Sequence, residues 1–184
     1  MRVIVAIILI VFSPAAAGIT YAPPMLNYGY IDGAAGQGVS GEETGTISQS
    51  QGGFLLSDFI HLRGAIHDGK VEGRDRRRAM IAFGGQVGVG PLWDVHLRLG
   101  GVRSSFRDDV RGETAGAYAE IGTRFLINRL VEFSADLRYE GDFNRPLGAG
   151  AQITTNIWND AGVFVRADYR GDQALISGGL RWYY

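Results

Sequence analysis

The chain has 184 residues, a formal net charge of −1 and no cysteine, and 46% of its residues are hydrophobic. The near-neutral charge implies no global attraction to nucleic acid, and the lack of cysteine excludes disulfides. After the first residues, no segment approaches the roughly 18 consecutive apolar residues of a transmembrane helix. The protein must therefore be held together by a packed core or by a closed hydrogen-bonded sheet.

The N-terminal residues have the features of a secretory signal. A positive start at Met1-Arg2 precedes an unbroken apolar run over 3–12, and Ala15-Ala16-Ala17 offers small residues for cleavage. This apolar run is too short to cross a bilayer as a helix. We expect residues 1–17 to be a signal peptide and residues 18–184 to form a single domain.

Beyond this signal, apolar and polar residues alternate with a period of two in ten segments. The segments are 26–36, 45–56, 59–67, 78–89, 93–103, 114–127, 130–140, 147–158, 162–170 and 174–184. Each is close to the roughly 9–11 residues that a tilted strand needs to cross a membrane. The pattern predicts ten strands, with eight as the alternative because 26–36 and 45–56 show the weakest alternation.

The predicted connections alternate in length. Four of the five connections on one side are longer and polar or rich in glycine, at 37–44, 68–77, 104–113 and 141–146. The connection at 171–173 is a short exception, and the turns on the other side, near residues 57, 91, 128 and 160, are all short. This is the arrangement of an up-and-down barrel with both chain ends and the short turns in the periplasm and the longer loops outside.

Strands with one apolar and one polar face do not by themselves distinguish a membrane barrel from a soluble sandwich. In segment 130–140, for example, Val131, Phe133 and Leu137 alternate with Glu132 and Asp136. A soluble sandwich would bury the first face, whereas a membrane barrel would turn it to lipid.

The positions of the tryptophans favour the barrel. Trp93, Trp158 and Trp182 all fall at the periplasmic ends of their predicted strands. Amphipathic rings belong at membrane interfaces, whereas a soluble sandwich has no reason to collect them at one end. With Tyr184 they form a predicted periplasmic aromatic girdle.

The signal peptide, the opening Tyr28–Gly33, the Gly-rich alternating strands and the aromatic end Arg181–Tyr184 resemble the small porin-like outer-membrane β-barrel families of Gram-negative bacteria. The resemblance implies an all-β fold, a single antiparallel up-and-down transmembrane barrel, in the outer membrane after secretion. It also implies outer-membrane lipid, periplasmic chaperones and the barrel-assembly machinery as partners. The residues that resemble the assembly signal are Ile176, Leu180, Trp182 and Tyr184.

The alternation places a set of charged residues inside the predicted barrel. They are Arg63, Arg98, Glu120, Arg124, Glu132, Asp136, Arg138, Glu140, Arg166, Asp168, Arg170 and Arg181. A barrel of about ten strands has an interior little wider than its own side chains, so opposite charges should pair across it. We expect a lumen closed by salt bridges, with a structural or surface-interaction role for the protein. A narrow channel for ions or small polar solutes is the alternative.

A second set of basic residues falls in the predicted outer loops. They are Lys70, Arg74, Arg76, Arg77, Arg107 and Arg111. At the outer rim they would face the phosphates of lipopolysaccharide, which arginine binds with two parallel hydrogen bonds. Ordinary solvated loop charge is the alternative.

Enzymatic roles find little support. Outer-membrane proteases place paired acids and a histidine at the rim of the barrel. The residue types are present here as His67, Asp68, Asp108 and Asp109. However, the predicted loops are too short to build the substrate cleft of such a protease. Lipid A deacylases use a His–Ser pair facing lipid, whereas the histidines here take inward positions. We therefore expect no enzyme, catalytic residue, cofactor, metal or nucleic-acid partner.

Overall fold

The computed structural model describes residues 29–40, 43–71, 74–106, 109–128, 130–142, 144, 146–158 and 160–184. The predicted signal peptide lies outside them. The described residues form ten strands: β1 Tyr30–Ser40, β2 Glu43–Ser57, β3 Ile60–Val71, β4 Arg74–Gly90, β5 Trp93–Phe106, β6 Asp109–Leu126, β7 Val131–Glu140, β8 Leu147–Trp158, β9 Ala161–Arg170 and β10 Gln173–Tyr183. No helix in these ranges is long and apolar enough to cross a membrane.

The strands close into an antiparallel up-and-down barrel. Each strand pairs with its neighbours in sequence, and β1 pairs with β10, with Ile31 opposite Trp182. The predicted fold with ten strands is therefore confirmed, and the alternative of eight strands is wrong. We call the end that holds Tyr30 and Tyr183 the proximal end and the opposite end the distal end.

The registers fix how far the strands are staggered. A path that starts at Leu126 and follows directly opposed residues through every strand returns to β6 at Thr114, 12 residues from its start. In a closed barrel, strand number and stagger together set the tilt and the width, with usual tilts of about 35–45°. Ten strands at this stagger leave an interior that side chains can fill.

The two faces of the wall carry opposite chemistry. His61, Arg63 and Ala65 of β3 are buried inside, whereas Ile66 of the same strand is 43% exposed. Val165 in the middle of β9 is 61% exposed. Apolar side chains therefore cover the outside and charged ones fill the inside, the reverse of a soluble protein.

Three of the predicted long loops are wrong. The stretches 37–44, 68–77 and 104–113 mostly continue the flanking strands, and only positions 41–42, 72–73 and 107–108 separate them. For 68–77 the physical reason lies in the pairing of outward charges, since Asp68 stands opposite Arg77 and Lys70 opposite Asp75 across β3 and β4. Opposite charges facing each other across a ladder support strands, so these polar residues belong to strand ends and not to loops.

Inward glycines allow neighbouring strands to approach closely on the inside of the wall. A Cβ atom at the inward Gly100 would overlap the backbone of Ile81 and Ala82. The next residue, Gly101, points outward, and the nearest atom to a Cβ there would be the Gly116 oxygen at 3.9 Å. The curvature of the wall thus requires glycine at position 100 but not at position 101.

Candidate functional site

The charged interior is divided into two groups of contacting side chains. The proximal cluster contains Asp32, Arg63, Arg98, Glu120, Arg124, Glu132 and Arg181. The distal cluster contains Arg76, Arg78, Asp136, Arg138, Glu140, Asp142, Arg166, Asp168 and Arg170.

Glu120 is the centre of the proximal cluster and is only 1% exposed. Its carboxylate accepts a hydrogen bond from Arg63 Nη1 at 2.9 Å and is also contacted by Arg98 and by the hydroxyl of Tyr118. Arg63 lies on β3 and Glu120 on β6, with β4 and β5 between them. This ion pair therefore runs across the lumen and not along the wall.

Arg181 makes the second connection across the lumen. Its Nε and Nη2 donate to the two carboxylate oxygens of Asp32, at 2.7 and 2.8 Å. Its Nη1 donates to Glu132 Oε1 of β7 at 3.4 Å, past the intervening β8 and β9. The guanidinium also lies 4.3 Å from the ring centroid of Tyr30, within the range of a cation–π contact.

Gln51 joins these two connections into one network. Its amide nitrogen donates to Asp32 Oδ2 at 2.7 Å, and its oxygen accepts from Arg63 Nη2 at 2.5 Å. Arg124 completes the network through a 2.6 Å hydrogen bond to Glu132. The proximal cluster thus links strands on opposite sides of the barrel.

Two buried histidines sit in this cluster. Arg98 Nε donates to His61 Nε2 at 2.7 Å, and His96 Nε2 lies 3.1 Å from Glu120 Oε1. Inward glycines provide the space, because a Cβ at Gly84 or Gly122 would come within 3.0 Å of the His61 or His96 ring. Among the described residues, no group of three or more His, Cys, Asp or Glu side chains could hold a metal ion.

One part of the distal cluster centres on Asp142. Arg78 Nε donates to its Oδ2 at 3.1 Å, Arg76 Nη2 donates at 3.2 Å, and Ser104 Oγ donates at 2.5 Å. Arg78 also lies 3.0 Å from Glu140. These contacts connect β4 and β5 with the end of β7 and the residues that follow it.

The other part of the distal cluster connects β7 with β9. Arg166 Nη2 donates to Asp136 Oδ2 at 2.7 Å, and Arg138 Nε lies 2.8 Å from Asp136 Oδ1. Arg138 also contacts Asp168, and Arg170 contacts Glu140.

All twelve charges that the alternation placed inside take part in ion pairs within these clusters. Sequence reasoning missed Asp32, Arg78 and Asp142. Asp32 and Arg78 share the inward phase of their strands with other buried residues. Asp142 follows β7, so period-two alternation does not reach it.

Arg76 was predicted in an outer loop, and this is wrong. It lies in β4 with its side chain 10% exposed and paired with Asp142. The neighbouring Arg77 does face outward and lies 3.5 Å from Asp68. Lys70 is exposed at the distal end of β3.

Three further residues of that basic set are not described in full. Arg74 and Arg111 lie in β4 and β6 without a described side chain, and Arg107 lies outside the described residues.

Exposed aromatic residues lie at the proximal end of the outer face. Trp93, Trp182 and Tyr184 are 45%, 56% and 60% exposed. Trp158 ends β8 at the same level, although its side chain is not described. Tyr184 Oη donates to the Gly53 carbonyl oxygen at 2.6 Å.

The four residues of the predicted assembly signal share one face. Ile176, Leu180, Trp182 and Tyr184 all lie on the outside of the barrel, and each is more than half exposed.

No known family matches the sequence, and no curated protein matches it. Solved structures share the fold. The KdgM porin in complex with disordered oligogalacturonate is 10% identical with a TM-score of 0.50 over 84% of this chain and 99% of its own. The KdgM porin alone gives 11% identity and a TM-score of 0.50 over the same shares.

A third match is the outer-membrane protein OprG from Pseudomonas aeruginosa, at 12% identity and a TM-score of 0.43 over 86% of this chain and 97% of its own. At such identities only the fold is comparable. In fold, the chain resembles the outer-membrane β-barrel porins.

Proposed function

We propose that this protein is an integral barrel of a bacterial outer membrane, secreted through the signal peptide at 1–17. The apolar outer face supports this proposal, because Leu137, Val165 and Ile176 are each more than 60% exposed. An apolar surface that encircles a protein belongs against lipid and not against water.

We further propose that the lumen is closed and that the role is structural or in surface interaction, not enzymatic. The observation that carries this proposal is the pair of bonds across the lumen, Arg63 to Glu120 and Arg181 to Glu132. The cavity that remains between the proximal cluster and the distal residues Asp136 and Arg166 has a volume of only about 30 Å³. This is room for one water-sized occupant and not for a hydrated ion.

The outward charges at the distal strand ends are proposed to face lipopolysaccharide. Lys70 and Arg77 carry this role among the described side chains, and Arg74, Arg107 and Arg111 lie near the same end in sequence. The exposed strip of Ile176, Leu180, Trp182 and Tyr184 is proposed as the contact for the assembly machinery, after delivery by periplasmic chaperones.

A narrow channel is the second candidate, and one feature favours it. In the distal half, several inward positions of β1 to β3 are small, among them Ala34, Gly36, Gly45 and Ala65, although Ile47 and His67 also face inward. They face the charged wall of the distal cluster, so space for a small polar solute would open there once the proximal cluster rearranged.

Conductance of the refolded protein in a planar bilayer tests both roles. We expect the wild-type barrel to be electrically silent, and the double variant Arg63→Gln, Glu120→Gln to show discrete openings because one of its two cross-lumen connections is gone. The matched control is Arg103→Gln, Glu113→Gln, an ion pair on the outer face with side chains 67% and 51% exposed, which should stay silent. Regular steps from wild-type protein would reject the closed lumen in favour of the channel.

A further inference from the structure

The small cavity in the proximal half is lined by an excess of positive charge. Five arginines and three carboxylates contribute to its wall, with Arg63 on β3 and with Arg166 and Arg181 on the neighbouring strands β9 and β10. Gln51, Gln152 and Tyr30 add neutral polar groups. Because these side chains are buried inside a membrane-spanning wall, unbalanced charge there is costly.

The whole described interior has a smaller excess of the same sign. Its arginines are the seven predicted from the alternation together with Arg76 and Arg78. Its acids are the five predicted ones together with Asp32, Asp94 and Asp142. Nine arginines therefore face eight carboxylates among the described side chains, which leaves one positive charge.

One hydrogen-bond donor of Arg63, its Nε, indicates that a further acceptor is bound here. Its Nη1 donates to Glu120 and its Nη2 to Gln51, but its Nε is buried and has no hydrogen-bond partner among the described residues. The side chain is only 8% exposed. An unmade hydrogen bond of a buried charged group is expensive, so a partner for this N–H is expected.

We propose that this cavity holds one monovalent anion of halide size, with chloride as the natural occupant. Such an ion accepts the Arg63 Nε hydrogen bond and balances the ninth arginine, whereas a water molecule could do only the first. The volume of about 30 Å³ suits a single atom of this size and excludes phosphate or a carboxylated solute. The anion is a structural component of the proximal cluster and goes beyond the role proposed above.

Thermal unfolding of the refolded barrel provides the first test. Sodium chloride is compared with sodium gluconate at equal ionic strength, because gluconate is too large for the cavity. We expect chloride to raise the midpoint saturably, by about 2–4 °C. Arg63→Gln should abolish this chloride dependence.

Arg78→Gln is the matched control. Arg78 is also a buried arginine, it is paired at 3.0 Å with Glu140 of β7, and it does not line the cavity. It should lower the midpoint in both salts and keep the difference between them. Equal midpoints of the wild-type protein in both salts, or an equal loss of the difference in both variants, would overturn the proposal.

A second measurement does not depend on the folding of any variant. Crystals of wild-type protein grown in sodium bromide should show an anomalous peak inside the barrel, within contact distance of Arg63 Nε. Peaks on the outer surface alone would mean an adventitious ion only, and would overturn the proposal. The bilayer experiment stays independent, because a silent barrel without a bromide peak rejects the anion site but not the closed lumen.

Discussion

Arg63 and Glu120 stand 57 residues apart in sequence, yet Arg63 Nη1 lies 2.9 Å from the Glu120 carboxylate across the barrel interior. Glu120 is also in contact with Arg98, so one carboxylate balances two guanidinium groups from two other strands. The part of the proximal cluster that contains Arg63 and Arg98 therefore depends on this single carboxylate.

Replacing Glu120 by Gln should destabilise the barrel by about 3–5 kcal/mol, because two buried arginines lose their charged partner. Urea unfolding of the protein in lipid vesicles measures the free energy. The control is Glu113→Gln in the exposed pair with Arg103, where we expect no measurable change. An equal loss in the two variants would show that the buried position of Glu120 is unimportant.

Alanine substitution should destabilise the barrel at the inward Gly100 but not at the adjacent outward Gly101. Gly100→Ala should lower the free energy of unfolding by about 1–3 kcal/mol, because the new methyl group would overlap the backbone of β4. Gly101→Ala, one residue along the same strand, has space and should be close to neutral. Unfolding midpoints of both variants in the same vesicles provide the comparison, and a reversed order would contradict the assigned register.

A charged side chain introduced on the outer face should reduce the stability of the barrel only at the middle of the membrane. Val165→Arg at the middle of β9 should lower the free energy of unfolding by about 2–4 kcal/mol, since arginine would replace a lipid-facing valine. Gln37→Arg near the distal end of β1 serves as the control and should change little. Equal stability of both variants would be inconsistent with a lipid-facing apolar band.

The aromatic residues of the proximal end should matter for assembly in cells more than for stability. The double variant Trp182→Ala, Tyr184→Ala should reduce the amount of folded barrel in outer-membrane fractions severalfold, while it still refolds in detergent. Tyr139→Ala, Tyr169→Ala removes two exposed aromatic side chains, at 43% and 60%, from the distal ends of β7 and β9 and should assemble normally. Normal assembly of the first variant would remove these residues from the proposed signal.

The strand count and the inward side of the twelve charges assigned to the lumen followed from the sequence by itself. Side chains alternate across a strand whatever its neighbours are, so the period of two already placed Glu120 and Arg63 on the inside. The same reasoning failed for 68–77, where polar residues on both faces of a strand end have the composition of a loop. Asp68 and Arg77 show the reason, because their attraction operates only after β3 and β4 have paired.

Which charges meet was decided only by the tertiary structure. Asp32 and Arg181 are 149 residues apart and become neighbours because β1 closes on β10. The stagger of 12 residues around the barrel then determines which strands contribute side chains at each level of the interior. Alternation within one strand contains no information about stagger between strands, so the sequence determined the contents of the lumen and the closed barrel determined their partners.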